Sequence, residues 1–424
     1  VTDVTPTAPT GPGAPWRRPG LEAYACDAAA FDGLRAALTQ GVFGPEHGRL
    51  AAPPGPLVRP PVELAALDPA ARARLTAAGE AALAAGRIGA VILNGGMATR
   101  FGGGAKGVVP VVRDVPSASF LAVKLADLAR RGHAAGRPIP LALMQSFATA
   151  DATAAHLAAI GWAGLAEADV RCFDQSLLPR VLPDGTPLLA LPEAGAVDDE
   201  RLYCAPGHGD VLERVRQSGV LAWLRGRGVE HVLLSNVDNL GATPDPLLVG
   251  LHLAHAEAGL GVTVEVVARA PGDAGGGVGA IPRAAAIAGG GPDRAAPAVG
   301  AAVDVIVEGF RLPPGTDLGA MPYFNTNTLW LSCDVLARTV PLTWFAVRKA
   351  IAWPTTHGRG PTLDVIQFER LVGQVTESER TGYVVVPRPA RFLPIKTRDE
   401  LEAHAEPLAE MARAAGLLPA LPPA

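Results

Sequence analysis

Cysteine is scarce. The 424-residue sequence holds four, Cys26, Cys172, Cys204 and Cys333, with no Cys-x-x-Cys pair and no Cys/His cluster. That excludes a disulfide scaffold and a zinc ribbon, and it reads as buried free thiols in a reducing compartment. An excess of either charge is also missing. Lys and Arg number 37 against 41 Asp and Glu, a formal net charge of -4, whereas a nucleic-acid or anionic-membrane partner would ask for a basic surplus. No uninterrupted apolar run reaches about 18 residues, so no membrane span is predicted. The first residues, VTDVTPTAPTGPGAPWRRPG, lack the apolar centre of a signal peptide and read as a flexible tail. These absences together predict a soluble cytoplasmic protein with neither a nucleic-acid nor a membrane partner.

What is abundant is glycine (49) and proline (40), on a 49% hydrophobic background. Both lie between apolar runs with no fixed period, which excludes collagen-like and low-complexity chains. The length fits two or three domains, or one large α/β domain with insertions. From Phe31 to Arg87 the pattern is helical, with Asp68 and Pro69 reading as the N-cap and first residue of an Ala-rich helix. Strands and helices then alternate. GAVILN (89–94), IPLALMQ (139–145), VRCFDQ (170–175) and HVLLSN (231–236) are short apolar strands, with helices from Asp151 to Ile160 and across VLERVRQSGVLAWLRGRG. Such alternation predicts a doubly wound, mainly parallel α/β sheet. Beyond Gly261 the pattern turns β-like, with VTVEVVA, VDVIVEGF and FNTNTLWLS. A hairpin and mobile loop are expected over DAGGGVGAIPRAAAIAGGGPDRAAP. A helix near 363–374, strand-like YVVVP and FLPIK, and an amphipathic helix RDELEAHAEPLAEMARAAG complete the reading. The predicted divisions are a tail (1–20), a helical N-terminal extension (21–87), a Rossmann-like domain (88–400) and a C-terminal helix with a Pro-rich tail (401–424).

The most informative segment is VILNGGMATRFGGGAKGVVPVV (91–112). A buried strand runs straight into Gly95-Gly96, and glycines at a strand's C-terminal end let backbone N–H groups approach phosphate oxygens. In open α/β sheets that end is where ligands bind. Gly102, Gly104 and Gly107 formally satisfy G-x-G-x-x-G, with Asp127 about twenty residues on, yet Pro110 stands where a dinucleotide fold opens its helix. A Walker A loop fails because Lys106 is followed by Gly107 rather than Ser or Thr. Taken alone, the segment would read as a Gly-rich surface loop with an incidental lysine.

Further segments follow in order: LMQSFATADAT (143–153), FDQSLLPRV (173–181), APGHGDV (205–211), SNVDNLGAT (235–243), FNTNTLW (324–330), VIQFE (365–369) and RFLPIKT (391–397). With these the sequence resembles the UDP-glucose pyrophosphorylase family of sugar nucleotidyltransferases, over roughly 89–400. The resemblance implies a nucleotidyltransferase fold and transfer of UMP from UTP to glucose 1-phosphate or a related sugar 1-phosphate, giving UDP-sugar and pyrophosphate. The implied cofactor is Mg²⁺, and a monomer or small homo-oligomer is expected. The nucleophile of such a reaction is a phosphate oxygen already ionised at pH 7, so the chemistry asks for alignment and charge neutralisation instead of a general base.

The resemblance implies catalytic roles for Lys106 at the α-phosphate, Arg100 toward the leaving pyrophosphate and Lys396 from the far side. Asn94, Gly95, Gly96, Met97, Thr99, Gln175, Gly207 and His208 are the implied nucleotide contacts. Around the sugar stand Asn236, Asn239, Gly241, Glu265, Glu308 and Asn325. Asp238 follows an apolar strand, and a single carboxylate there suits Mg²⁺, which fills its shell with phosphates and water. Each has a structural alternative. A lysine is most often a solvated charge, His208 could belong to a tight turn before a helix capped by Asp210, and Asp238 could cap a helix, although TPDP (243–246) supplies that start separately. Strand polar groups such as Glu265 could be satisfied by neighbouring backbone.

Four departures from the family pattern stand out. Ala98 replaces a glycine of the LNGGxGT loop, Gly275 stands where a lysine is usual, Gln145 replaces an asparagine, and no segment follows that could form the C-terminal β-helix of eukaryotic members. The first two leave another nucleotide, such as GTP, or another sugar or cyclitol 1-phosphate as the alternative substrate. A non-catalytic nucleotide-sugar-binding regulator is the rival outside enzymes; the joint presence of Lys106, Asp238 and Lys396 argues against it.

Overall fold

The computed structural model describes residues 18, 21, 23–44, 46–96, 104–273, 275–283, 302–355 and 358–419. The strands of the main sheet and of one separate hairpin are β1 (Val62–Glu63), β2 (Ile88–Leu93), β3 (Leu141–Gln145), β4 (Val170–Asp174), β5 (His231–Asn236), β6 (Val262–Ala268), β7 (Gly277–Pro282), β8 (Ala302–Val307), β9 (Tyr323–Ser332), β10 (Phe345–Thr355), β11 (Gly358–Glu369) and β12 (Thr381–Val385). The main sheet runs β1-β12-β6-β9-β5-β2-β3-β4, with β7 and β8 attached beside β9. β5, β2, β3 and β4 pair in parallel, as do β1, β12 and β6; β9 joins the two groups antiparallel to both β6 and β5. This is the expected mainly parallel α/β sheet.

The helices are α1 (Ala28–Thr39), α2 (Pro69–Ala84), α3 (Phe120–Ala135), α4 (Ala150–Ala159), α5 (Val211–Gln217), α6 (Val220–Gly226), α7 (Pro246–Glu257), α8 (Cys333–Ala337), α9 (Arg398–Ala403) and α10 (Ala405–Ala414). Both sheet faces are covered, and the period of two along each strand decides which side chain meets which layer. Ile88, Ala90 and Ile92 enter the core with Phe120 and Leu125 of α3 and Leu248 of α7. Val91 and Leu93 turn the other way, against Val211, Val215 and Leu224. Asp68 caps α2, accepting from Ala71 N–H, and Asp245 caps α7, accepting from Leu247 N–H. α2 and α7 cross so closely that a Cβ at Gly79 would fall 1.8 Å from the Pro246 carbonyl oxygen, and one at Gly250 1.9 Å from that of Leu75. Among the described residues no helix is long and apolar enough to cross a membrane.

The structure corrects several local readings. The segment near 363–374 is not a helix: its first half is β11, paired antiparallel with β10, and only short helical turns follow over Val372–Gln374 and Val375–Ser378. FLPIK lies outside any strand. Between Phe31 and Arg87 only α1 and α2 are long helices, and β1 pairs with β12. The helix across 211–228 breaks at Gly219, which is left-handed (φ +75). The C-terminal helix breaks at His404, where Pro407 has no N–H to continue the earlier ladder. β7 and β8 form the expected hairpin, and residues 284–301 of its connection lie outside the described residues.

Candidate active site

A cleft of about 1000 Å³ opens over the C-terminal ends of β2, β3 and β5. Nine predicted residues line it: Gly95, Gly96, Lys106, Gln175, Gly207, His208, Asn236, Asp238 and Lys396. Met97, Thr99 and Arg100, with Ala98, lie outside the described residues.

One end is rich in buried amide and backbone groups, with Glu369 beside Gly207. The Gln175 amide is buried and its Nε2 donates to the Gly207 carbonyl at 2.9 Å. It also explains Gly95: a Cβ there would fall 1.9 Å from Gln175 Oε1. Gly207 takes a left-handed φ of +76 with the Arg370 backbone pressed against it, so a side chain is excluded twice. His208 Nδ1 accepts from the Val372 N–H at 3.1 Å. Burial lowers this histidine to about 4, so at neutral pH the ring is uncharged with its proton on Nε2. Asp210 occupies the expected N-cap position, but its carboxylate binds elsewhere. It accepts from Ser176 N–H at 2.7 Å and from Arg370 Nη2 at 2.6 Å, tying together the loops that carry Gln175 and Gly207.

The other end is charged. Lys106 Nζ lies 2.5 Å from Asp238 Oδ2, and both side chains are 14% exposed. Lys106 follows the glycine loop and Asp238 follows β5, so the pair spans the sheet's C-terminal edge. Exposed Lys396 lies on this cleft too, directly before Thr397, which opens α9 with a capping box completed by Glu400. Asn236 Oδ1 accepts from Asn327 Nδ2 at 2.9 Å.

Six predicted residues do not line the cleft. Asn94 is buried beneath it, donating to Thr153 Oγ1, with its Oδ1 where a Cβ on Gly107 would fall. Glu265 is fully buried: Oε1 accepts from Trp330 Nε1 at 3.0 Å and from Arg391 Nη2 at 2.6 Å, and Oε2 from Arg391 Nε at 3.1 Å. Asn239 donates to Thr328 Oγ1 and accepts from the Leu393 N–H, and a Cβ at Gly241 would strike the Ala390 carbonyl at 2.6 Å. Arg391 also donates to Thr243 O and Oγ1. Glu265, Asn239 and Gly241 therefore seat residues 390–393, the approach to Lys396. Asn325 is buried and accepts from the Asn327 N–H. Glu308 is half-buried beside Gly276; burial raises its pKa, opposed by Arg311, the Gly276 N–H and Lys396. Gly275 packs against the Phe324 ring.

Some cleft residues escaped sequence reading. Arg180, Arg201, Lys349 and Glu369 line it. Arg180 lies five positions from Gln175 within FDQSLLPRV, a usable signal, whereas Lys349 comes from the unforeseen β10–β11 hairpin. Asn327 was hidden by a bulge. Two positions after Asn325 it would share that residue's face in a regular strand, but register shifts between Asn325 and Thr328 and Asn327 is left-handed (φ +55).

The model of the family described as UTP–glucose-1-phosphate uridylyltransferase matches residues 67–281 and 313–413, well over half of the sequence. The chain belongs to that family. A probable UTP–glucose-1-phosphate uridylyltransferase of Schizosaccharomyces pombe is 30% identical over 330 residues, covering 73% of this chain and 56% of its own length. The UTP–glucose-1-phosphate uridylyltransferase of Saccharomyces cerevisiae is 31% identical over 311 residues, covering 73% and 57%. The chain thus spans a little over half the length of these relatives. Among solved structures, a UDP-glucose phosphorylase from Trypanosoma brucei superposes with a TM-score of 0.67 at 25% identity, covering 89% of this chain and 74% of that one. A point mutant of Leishmania major UDP-glucose pyrophosphorylase in complex with UDP-glucose gives 0.65 at 24%, covering 88% and 74%, a likeness of fold. In this uridylyltransferase-family chain the family match runs through both ends of the cleft.

Proposed function

We propose that the chain transfers UMP from UTP to glucose 1-phosphate, releasing pyrophosphate and UDP-glucose. The observation that carries the reading is that, in a member of this family, one cleft brings the Lys106–Asp238 pair and Lys396 together with the buried Gln175 amide bonded to the Gly207 carbonyl. Gln175 and the Gly207–His208 turn suit a uracil edge, because buried amides and backbone groups left unpaired would penalise a wrong base. The acceptor phosphate brings its own ionised nucleophile, so the charged end has to align two polyanions and offset their repulsion. Lys106 is held ready for this: Asp238 keeps its ammonium at the cleft edge, where little water screens it. Lys396 brings a second cation from a separately anchored segment.

Among the described residues no group of three His, Cys, Asp or Glu could hold a metal. One carboxylate nevertheless fits Mg²⁺, which takes one or two protein carboxylates beside substrate phosphates. Asp238 is the residue that would hold it, and the ion would supply Lewis-acid charge at the phosphates. Pyrophosphate release with Mg²⁺ is the test, using UTP, GTP, ATP, CTP and dTTP, each against a panel of sugar 1-phosphates. UTP with glucose 1-phosphate should dominate. Another dominant pair overturns the substrate assignment, and no reaction with any pair overturns the enzyme assignment.

A further inference from the structure

A buried lysine lies under the cleft and is not among the residues that line it. Lys124, on the second turn of α3, is 4% exposed. Its Nζ donates to Ser235 Oγ at 2.9 Å and to the Ala242 carbonyl oxygen at 2.8 Å. Burying an ammonium is costly unless it is hydrogen-bonded and paired, so its two acceptors call for explanation. They bracket one segment. Ser235 sits near the end of β5, Ala242 precedes the cap of α7, and between them lie Asn236, Asp238, Asn239 and Gly241.

We propose that Lys124 is a positioning residue that closes the base of the Ser235–Ala242 loop and so fixes where the Asp238 carboxylate stands. The loop also makes a few backbone hydrogen bonds of its own. Val237 N–H donates to Leu93 O at 3.1 Å, and Asn239 N–H and Ala242 N–H make longer bonds to Asn236 O (3.3 Å) and Asn239 O (3.2 Å). Asn239 is further tied through its side chain, by Thr328 and Leu393. Among the described residues Asp238 has one side-chain hydrogen-bond partner, Lys106, which the substrate phosphates would also engage. A loop whose functional carboxylate shares its partner with substrate depends on its ends for alignment, and Lys124 joins those ends with one group. Removing it leaves two acceptors, on opposite sides of the loop, without their common donor. A misplacement of an ångström at such a site is enough to cost about 10²-fold in rate.

The consequence for turnover rests on the uridylyl-transfer reading above; the tie itself does not. Lys124→Met keeps the aliphatic stem and removes the donors, and Ser235→Ala removes one arm in case the first variant does not fold. Two measurements separate the claims. Amide hydrogen exchange should quicken at least tenfold at residues 237–242 in either folded variant, with the amides of β2 and β3 unchanged. Steady-state kinetics with UTP, glucose 1-phosphate and Mg²⁺, well below the melting temperature, should show kcat reduced ten- to a hundredfold and KM for UTP changed less than threefold. Unchanged exchange at 237–242 overturns the proposal, as does quickened exchange with kcat within twofold of the parent. If the parent chain turns over no nucleotide, the functional reading fails, and exchange alone decides whether Lys124 ties the loop.

Discussion

Two ion pairs near the end of the sheet have the same composition in outline, a carboxylate and a long cation, and opposite meanings. Lys106–Asp238 lies in the cleft with both side chains 14% exposed, while Arg391–Glu265 lies below it at 9% and 1%. Asp238 stands in a loop after a strand and, among the described residues, has one side-chain hydrogen-bond partner. Glu265 stands inside β6, where Arg391 and the Trp330 indole occupy both of its oxygens. A carboxylate with acceptor capacity left over at a strand's end can serve a ligand; one saturated within a strand holds the protein together. The lower pair serves the upper site indirectly, since Arg391 and Asn239 seat the segment that leads to Lys396.

The largest way to break this comparison is Glu265→Ala. Stripping a buried guanidinium of its partner costs about 3–5 kcal/mol, so denaturant unfolding should show that loss; in the molecules that remain folded kcat should fall through Lys396, with KM for glucose 1-phosphate changed less. A stable variant with a raised sugar KM would move Glu265 back to the ligand.

A third buried polar group sharpens the same distinction through pH. His231 Nδ1 lies 3.0 Å from His252 Nε2, and His252 Nδ1 and His255 Nδ1 lie 3.0 and 2.9 Å from Thr263 Oγ1. Burial lowers all three, His255 to about 4. The unfolded chain takes up protons near pH 6.5 that the fold refuses. The stability these neutral rings contribute is therefore whole above pH 6.5 and is lost as pH falls through their folded values. Denaturant midpoints should be lower at pH 5 than at pH 7.5, and His255→Asn should shrink the gap by about 1–2 kcal/mol. An unchanged gap would show that His255 contributes nothing to it.

The smallest effect is at the Gln175–Gly207 end of the cleft. Gly95→Ala puts a Cβ 1.9 Å from Gln175 Oε1, and KM for UTP should rise roughly tenfold, about 1.4 kcal/mol, with KM for glucose 1-phosphate unmoved. Equal rises for both substrates would remove the assignment of that end to the nucleotide.

What was legible in the sequence was local. β2, β3 and β5 are apolar runs because both their faces are buried, and the Asp68 and Asp245 caps announce themselves before a proline. The β10–β11 hairpin was not legible, because Val365, Phe368 and Val372 recur at helical spacing while Val365–Phe368 are all buried in the strand, which leaves no period of two to read. Within the site, Gly95, Gln175, Asn236 and Asp238, at or just past strand ends, reached the cleft, while Asn94 stayed buried beneath it. Glu265 was misleading because a polar residue in an apolar strand asks only for a partner. That partner, Arg391, is 126 positions away. Periodicity carries no information about contacts of that range.

The central claim is that the charged end of the cleft performs uridylyl transfer. Its most direct test is steady-state release of pyrophosphate and UDP-glucose from UTP and glucose 1-phosphate by the parent chain and by Lys106→Ala. The account predicts equal amounts of both products from the parent and a loss of roughly 10²–10³-fold in kcat for the variant, with the melting temperature little changed. A parent that yields no UDP-glucose, or a Lys106→Ala variant within twofold of the parent, would contradict it.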